Sequence, residues 1–211
     1  SWALSLAGSP AWTSLAPGGA LPDLRAGAGA VFDVPRARML VVGGTNGVAA
    51  TSDVAALSLD ASPSWSPITA DGGTPGRNYF STIYDSHRDR LVVFGGAYNN
   101  GTLGFLNDVW QLTLSGTPAW SLLPANGTPP HVRDSQSAIY DQLRDRMIVF
   151  GGYFSTSGFN WLNDTWALDF TTSPATWAQL APTGALPSPR SLVSMIYDAP
   201  HDELVVFGGS Y

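Results

Sequence analysis

Glycine pairs recur along this chain at nearly constant intervals, and each pair closes a short apolar run. Successive pairs begin 52, 56 and 57 residues apart, at Gly43, Gly95, Gly151 and Gly208. Self-similarity at a fixed period of this length is typical of propellers and other repeat architectures. The period therefore constrains the fold more strongly than any local propensity does.

Three other kinds of residue recur with the same period. Each repeat opens with an arginine, continues to an aromatic residue that is followed by aspartate, and later carries a tryptophan. The members are Arg25, Arg77, Arg133 and Arg190; Phe32, Tyr84, Tyr140 and Tyr197, each with the aspartate after it; and Trp12, Trp65, Trp120 and Trp177. Four registers with one period indicate true repeats.

One repeat predicts four short strands. The first runs from the arginine to the aromatic-aspartate pair, and a charged turn follows it. The second is the apolar run before the glycines, whose missing side chains permit unusual backbone angles or a close approach. The third begins at Asn107 in the second repeat, where alternation puts Val109 and Trp110 on opposite faces. The fourth carries the lone tryptophan.

Composition agrees with a folded chain of short strands. The 211 residues include 23 glycines and 16 prolines, which disfavour long helices, and only 12% are charged. The lack of cysteine excludes a disulfide framework, a zinc-thiolate site and a cysteine nucleophile. The net charge is -6 without any lysine, so we expect no nucleic-acid partner. No apolar run approaches the ~20 residues that span a bilayer, so we expect no membrane insertion.

A sheet of four antiparallel strands cannot bury both faces alone, so neighbouring repeats must stack on it, and radial stacking gives a β-propeller. The repeat also resembles the kelch repeat of bacterial type in its opening arginine, Tyr-Asp end, double glycine, NDVW third strand and tryptophan-bearing fourth strand. The resemblance covers essentially the whole chain. It implies an all-β propeller of four-stranded antiparallel blades. The first repeat departs from the pattern at Ala55, where later repeats have Trp110 and Trp166.

We predict a single domain, 1–211, with three complete blades at 25–72, 77–128 and 133–184. A further blade is split, because residues 1–20 match the third and fourth strands of a repeat and residues 190–211 match the first and second. The chain is then a portion of a larger propeller, a ring that closes at four blades, or a half that pairs with a second copy to give eight. We rank these arrangements in that order, because both ends fall inside a blade and the kelch resemblance implies a larger ring.

The recurring arginines are the first candidate site. At the start of the innermost strands they would ring the channel mouth, where guanidinium groups grip carboxylate or phosphate, and the kelch resemblance implies a role in ligand binding. The candidates are Arg25, Arg77, Arg133 and Arg190. The alternative, which we favour, is that each arginine pairs with a recurring aspartate such as Asp53, Asp108 or Asp164, since a residue needed in every blade usually serves the blade.

The segments after the glycine pairs are the second candidate site. They differ most between repeats and combine aromatic rings with asparagines, which suits a protein surface or the C–H faces and hydroxyls of a glycan. The candidates are Tyr98, Asn99, Asn100, Phe105, Tyr153, Phe154 and Trp161. The alternative is that these rings fold back and cap the sheet faces between blades.

The remaining charged positions predict no chemistry. The turns SHRDR (86–90) and LRDR (143–146) are interpreted as solvated hairpin tips that hold their own Asp-Arg contacts. His87, His131 and His201 do not stand at metal-ligand spacing. We therefore expect no catalytic residue, no metal and no cofactor.

The leading interpretation is a non-catalytic binding module that presents loops and a channel mouth to a protein or glycan partner. One alternative is an enzyme domain of the sugar-acid isomerase or hydrolase kind, which would use the arginines with Asp134 or Asp23. A second is a structural unit that self-associates through open blade edges. The lysine-free, alanine-rich composition indicates a bacterial source, and an extracellular or cell-surface location is favoured.

Overall fold

The computed structural model describes residues 1–99, 102–156 and 158–211, and these residues form β-strands joined by turns and a short 3₁₀ helix, Val34–Arg36. The described part of the chain has no helix with the length and hydropathy of a membrane span. The chain begins with a hairpin of β1 (Trp2–Ser5) and β2 (Ala11–Ser14), after which β3 (Gly18–Gly19) leads to the first blade. The first blade consists of β4 (Gly29–Asp33), β5 (Arg38–Thr45), β6 (Ala50–Ser58) and β7 (Ser64–Ile68).

The other sheets follow in sequence order. The second blade consists of β8 (Ser81–Asp85), β9 (Arg90–Phe94), β12 (Val109–Thr113) and β13 (Ala119–Leu122), and a separate two-stranded hairpin of β10 (Ala97–Asn99) and β11 (Leu103–Phe105) lies between β9 and β12 in sequence. After β14 (Ala125–Asn126), the third blade consists of β15 (Ser137–Asp141), β16 (Arg146–Ser155), β17 (Phe159–Asp169) and β18 (Ala175–Leu180). The final sheet contains β19 (Ser191–Asp198) and β20 (Glu203–Ser210).

Each complete blade has four antiparallel strands in sequence order, as predicted. A fifth strand was not predicted. The segment that leaves one sheet runs parallel to the outer strand of the next, so that β3 pairs with β7 and β14 pairs with β18. A single bridge between Asp71 and Ala119 does the same in the second blade. The links between blades are therefore part of the sheets.

The blades stack face to face through apolar clusters. One cluster joins the first and second blades and another joins the second and third. Val109 lies in the second cluster while Trp110 packs against the first, which confirms that the two residues occupy opposite faces. Trp120 and Trp177 are only 8% and 5% exposed. The fourth-strand tryptophans of these two blades are thus core residues between sheets.

A series of hydrogen bonds runs round the hub, where the innermost strands begin. The amide of Tyr79 donates to the Gly27 carbonyl, that of Ser135 to Tyr79, and that of Leu192 to Ser135. All four residues have positive φ, between 52° and 62°. One bond of the same kind links each sheet to the next, so the sheets are arranged about a common axis.

The glycine pairs join neighbouring blades. The amide of Gly96 donates to the Arg133 carbonyl, and the amide of Gly152 to the Arg190 carbonyl, both at 2.9 Å. Both glycines have φ near +100°, and a Cβ on Gly95 would meet the Arg133 carbonyl oxygen at 2.9 Å. The predicted reasons for these glycines, a positive φ and a close backbone approach, are confirmed.

The charged hairpin tips also join blades, which corrects the prediction that each tip holds only its own contacts. Arg88 of the second blade donates two hydrogen bonds to Asp145 of the third, and one to the Phe170 carbonyl. Arg36 of the first blade binds Asp89 of the second in the same way. The prediction failed because the relative placement of two blades cannot be read from either repeat alone.

The two ends of the arc are open. Strands β1 and β2 pair only with each other among the described residues, and so do β19 and β20. Trp2 and Trp12 are each 67% exposed. The outer face of the final sheet likewise exposes Leu192, Ile196 and Phe207. The split blade predicted from these segments stays a prediction.

Candidate binding site

The recurring arginines precede the innermost strands, and the first three of them bind groups of their own blades. Arg133 donates to both carboxylate oxygens of Asp164, at 2.6 and 2.8 Å, and to the Gly151 carbonyl at 3.0 Å. Arg77 makes the same bonds to Asp108 and Gly95. In the first blade, Arg25 pairs with Asp53. The arrangement clamps the start of the blade to the glycine turn and to the third strand.

The arginine of each clamp favours the ionised form of its aspartate. Burial alone would raise the pKa of Asp164, but the hydrogen bond and charge of Arg133, together with a hydrogen bond from the Trp166 indole, outweigh it and hold that pKa below its usual value. Asp108 has a lowered pKa for the same reasons. The Arg77 and Arg133 side chains are 1% and 0% exposed. This geometry agrees with the alternative in which the arginine of each of the first three repeats pairs with an aspartate of its own blade.

Arg190 differs from its three counterparts. Its guanidinium donates to the Ser188 carbonyl, the Ser188 hydroxyl and the Gly208 carbonyl, and has no carboxylate partner among the described residues. It is also more exposed than Arg77 and Arg133. Within the described part of the chain, Arg190 is therefore the predicted channel-mouth arginine whose charge is not matched by a carboxylate.

The predicted loops are mostly strand extensions, which corrects the prediction that these segments are loops. Tyr98 and Asn99 lie in β10, Phe105 in β11, Tyr153 and Phe154 in β16, and Trp161 in β17. Asn100 lies outside the described residues. The extension is possible because aromatic side chains suit extended backbone, and because Tyr98 lies across from Gly104, where a Cβ would meet its ring at 2.4 Å.

Four aromatic rings gather at this end of the second and third blades. Tyr153 is 5.7 Å from Phe105, 5.9 Å from Phe159 and 5.9 Å from Trp161, measured between ring centroids. Phe159 and Trp161 are 5.8 Å apart. We call these four residues the aromatic mouth. Phe105, Tyr153 and Trp161 are half-buried, but Phe159 is 73% exposed, so the mouth presents an apolar surface to solvent.

A second ring pair and two grooves flank the aromatic mouth. Phe154 stacks on the exposed His131 ring with centroids 3.9 Å apart. A groove of 570 Å³ runs beside Phe154, Phe159 and Trp161 towards the final sheet. Another, of 650 Å³, lies beside Tyr98 and Asn99 at the edge of the first blade. The predicted aromatic residues therefore lie at one end of the blades, next to open concave surface.

Asp134 is a buried carboxyl on the innermost strand side of the third blade, 9% exposed. Burial raises its pKa to about 6, although a hydrogen bond from Ser135 acts in the opposite direction. Its backbone pairs with Tyr153, which ties the innermost strand to the aromatic mouth. Sequence reasoning named Asp134 only for the enzyme alternative, and Asp23 with it. Sequence reasoning placed Phe159 among the loop aromatics but did not predict His131 as a site residue, because its contact with Phe154 depends on how strands pair.

Comparison with known proteins agrees with the fold and the repeat. The family model of the KLHDC2/KLHL20/DRC7 Kelch-repeats domain matches residues 2–209. The Rab9 effector protein with kelch motifs of Homo sapiens is 31% identical over 94% of this chain and 52% of that protein. Adagio protein 3 of Arabidopsis thaliana is 33% identical over 74% of this chain and 24% of that protein.

The chain thus spans about half of the first of these relatives and about a quarter of the second. The solved structure of YjhT superposes with a TM-score of 0.63 and 13% sequence identity, over 86% of this chain and 56% of that one. At this identity the likeness bears on fold alone, and it agrees with blades stacked about an axis. From its repeats, its stacked four-stranded sheets and these matches, the chain belongs to the kelch-repeat β-propeller family.

Proposed function

We propose that this chain is a non-catalytic interaction module that holds a protein partner at the aromatic mouth. The observation that carries the proposal is the cluster of Phe105, Tyr153, Phe159 and Trp161, fixed by paired strands at the end of two blades. Rigid aromatic side chains beside a groove are the usual anchors of protein interfaces, since they bury large areas at low entropic cost.

Two further observations favour a protein over a glycan. The Asn160 amide nitrogen donates to the Gly158 carbonyl at 2.9 Å and lies within 3.5 Å of the Phe154 carbonyl, so its N–H groups are used inside the hairpin. The kelch-repeat relatives suggest protein-interaction modules: one is named an effector of Rab9, and another a subunit of the dynein regulatory complex in Chlamydomonas reinhardtii. Glycan binding is one outcome that the experiment below can detect.

We propose Arg190 as the charged contact of the same surface. Ser188 and Pro189, its immediate neighbours in sequence, line the groove beside Phe159 and Trp161. A partner carboxylate that reached this groove would meet a guanidinium that has no carboxylate of its own among the described residues. Arg25, Arg77 and Arg133 are assigned to holding the blades.

Photo-cross-linking tests the proposal with a matched pair of positions. Phe159 and Leu143 are 73% and 74% exposed and lie at opposite ends of the third blade. A photoreactive phenylalanine at 159, but not at 143, should cross-link a protein from an extract of the source cells. The proposal would be contradicted by adducts from position 143 alone, by equal adducts from both positions, or by no adduct from position 159. If the chain bound a glycan array and gave no protein adduct, the partner would be a glycan and not a protein.

The loop residues are then tested as a group. Replacing Tyr153, Phe154 and Trp161 together by alanine should abolish capture while the circular dichroism spectrum stays that of a folded sheet protein. Because these rings are half-buried, the free energy of unfolding of the triple variant is compared with that of the wild-type chain, so that a loss of binding can be told from a loss of stability. Unchanged capture would remove this end of the blades from the proposal.

One observation favours the enzyme alternative. Asp134 is a buried carboxyl whose raised pKa of about 6 would suit a general acid or base. The arginine next to it in sequence, Arg133, is held by Asp164, so the arginine and carboxylate which that alternative requires are not joined to each other. If Asp134 is structural, Asp134→Asn leaves partner capture unchanged.

A further inference from the structure

A pocket of 470 Å³ lies between the second and third blades, at the end of the blades that carries the charged hairpin tips. This end is opposite to the aromatic mouth, because Arg90 begins β9 whereas the glycine pair follows the end of that strand. The lining comes from these two blades and the link between them, so it does not depend on either end of the chain. Its members are Arg88, Arg90, Gln111, Leu123, Pro124 and the segment 170–175.

The guanidinium of Arg90 is the buried charge of this pocket, with a side chain that is only 9% exposed. Its Nε donates to Asp85 at 2.8 Å, and its Nη1 donates to the side-chain carbonyl of Gln111. Its Nη2 donates no hydrogen bond to any residue that the structure describes. A guanidinium has five N–H donors, and a buried donor without an acceptor is costly. Arg90 therefore has hydrogen-bonding capacity left for a ligand.

The position of this guanidinium is fixed by its neighbours. The Cζ atom of Arg90 lies 4.9 Å from the centroid of the Phe170 ring, across the junction between the two blades. Gln111 is itself held, since its amide nitrogen donates to the Ser121 hydroxyl at 3.1 Å while its carbonyl oxygen faces Arg90. A cationic group that is already held in place loses little entropy when it binds an acceptor, which is the preorganisation that favours ligand binding.

The junction between the first and second blades lacks this arrangement. Arg38, the counterpart of Arg90 in the first blade, makes the same bond through Nε, but its side chain is 22% exposed. Ala56 stands where the second blade has Gln111, and Leu114 stands where the third blade has the stacking ring. A feature that one junction has and its counterpart lacks is not needed to build a blade, so a binding role is favoured.

The charges and donors of the pocket suit a carboxylate. The lining has two guanidinium groups and no carboxylate; Asp85 and Asp145 bind these arginines but are not lining residues. Ser173 is exposed and makes no side-chain hydrogen bond with the described residues, whereas the Thr171 hydroxyl donates to Asp169. One edge of a guanidinium and one hydroxyl therefore remain for a ligand, and these match the two oxygens of a carboxylate.

The other walls of the pocket are apolar. Leu123 and Pro124 belong to the link that follows the second blade, and Phe170 and Pro174 belong to the third blade. At 470 Å³ the pocket is within the range of about 300–1,000 Å³ that is usual for small-molecule sites. This volume and these walls fit the carbon skeleton of an organic acid, which an inorganic anion lacks.

We propose that this pocket binds a small organic carboxylate, with the carboxylate on Arg90 and the apolar part of the molecule between the link and the third blade. The pocket shares no residue with the aromatic mouth. It is therefore a second site, and it does not rest on the function proposed for the mouth.

Small carboxylic acids and their amides test the ligand class, because the two members of each pair differ in charge and hardly in size. Benzoate, phenylacetate and cyclohexanecarboxylate are the probes, measured by ligand-observed NMR at millimolar concentrations. We expect at least one acid to bind about tenfold or more tightly than its amide. Equal binding of acids and amides, binding of inorganic phosphate in preference to every acid, or no binding of any acid would overturn the proposal.

Arg90→Gln and Arg38→Gln are the matched variants, because each removes an arginine that binds an aspartate of its own blade through Nε. Arg90→Gln should weaken binding of the acid by about tenfold or more, and Arg38→Gln should leave it unchanged. Equal affinities of the two variants would overturn the proposal.

Ser173→Trp keeps the test decisive if Arg90→Gln does not fold. Because Ser173 is exposed and has no side-chain hydrogen bond among the described residues, this variant should keep the circular dichroism spectrum of the wild-type chain. Its indole should fill the pocket and abolish binding of the acid. Unchanged binding by the folded variant would overturn the proposal.

Discussion

Arg133 grips Asp164 through two hydrogen bonds of 2.6 and 2.8 Å while its side chain is fully buried. The same grip joins Arg77 to Asp108 and Arg25 to Asp53. A buried guanidinium without its carboxylate is costly, because the charge loses its hydration and keeps no counter-charge. The arginine that opens each of the first three repeats therefore holds its blade together.

The clamp predicts that losing the carboxylate of a buried pair destabilises the chain more than losing an arginine that has no carboxylate partner among the described residues. Asp164→Asn should lower the free energy of unfolding by about 3–5 kcal/mol, since it leaves Arg133 buried and unpaired. Arg190→Met, which breaks no ion pair among the described residues, should cost less than about 1 kcal/mol. Urea denaturation of both variants measures the difference. Equal losses would show that the buried pair is not what holds the blade.

The fourth-strand tryptophans predict a second contrast. Trp177→Ala should cost about 3–5 kcal/mol, because it empties a large aromatic site between the second and third blades. Trp12→Ala should cost less than about 1 kcal/mol, since its ring is 67% exposed. Thermal or chemical unfolding compares them. A loss below 1 kcal/mol for Trp177→Ala would mean that β18 does not pack as described.

Asp134 predicts a dependence of stability on pH. Its pKa is about 6 in the folded chain, against an ordinary value of 3.8, so the folded state binds more protons between these values and stability falls as pH rises from about 4 to 6. Asp134→Asn removes this contribution. Relative to the wild-type chain, the variant should gain about 1–2 kcal/mol between pH 4 and pH 7.5, a figure reduced from the full shift to allow for solvent screening. A pH-independent difference in unfolding free energy would contradict the burial of this carboxyl.

Much of the fold follows from periodicity. The recurring glycine pairs, arginines and tryptophans predicted four strands per blade, because each register recurs once per sheet and occupies the same place in it. Alternation put Val109 and Trp110 on opposite faces, where the structure has them. The pairing of Arg133 with Asp164 was also open to sequence reasoning, since both recur once per repeat.

What joins one blade to the next could not be predicted in the same way. The bond from Arg88 to Asp145 crosses blades, so it depends on the angle between two sheets and not on the sequence of either. The hub bonds need positive φ at Tyr79, Ser135 and Leu192, residues that give no glycine signal. The contact of Phe105 with Tyr153 brings together hairpins of two blades. Arg190 kept the sequence signature of its counterparts although it has a different environment.

The central claim is that the aromatic mouth binds a protein partner, and the affinity of Phe159→Ala for the partner cross-linked at that position tests it most directly. Phe159 is 73% exposed, so the variant should unfold within about 0.5 kcal/mol of the wild-type chain. Calorimetry should nevertheless show affinity reduced by about tenfold or more, as expected for an aromatic anchor, with Leu143→Ala unchanged. Equal affinities for all three proteins would contradict the claim.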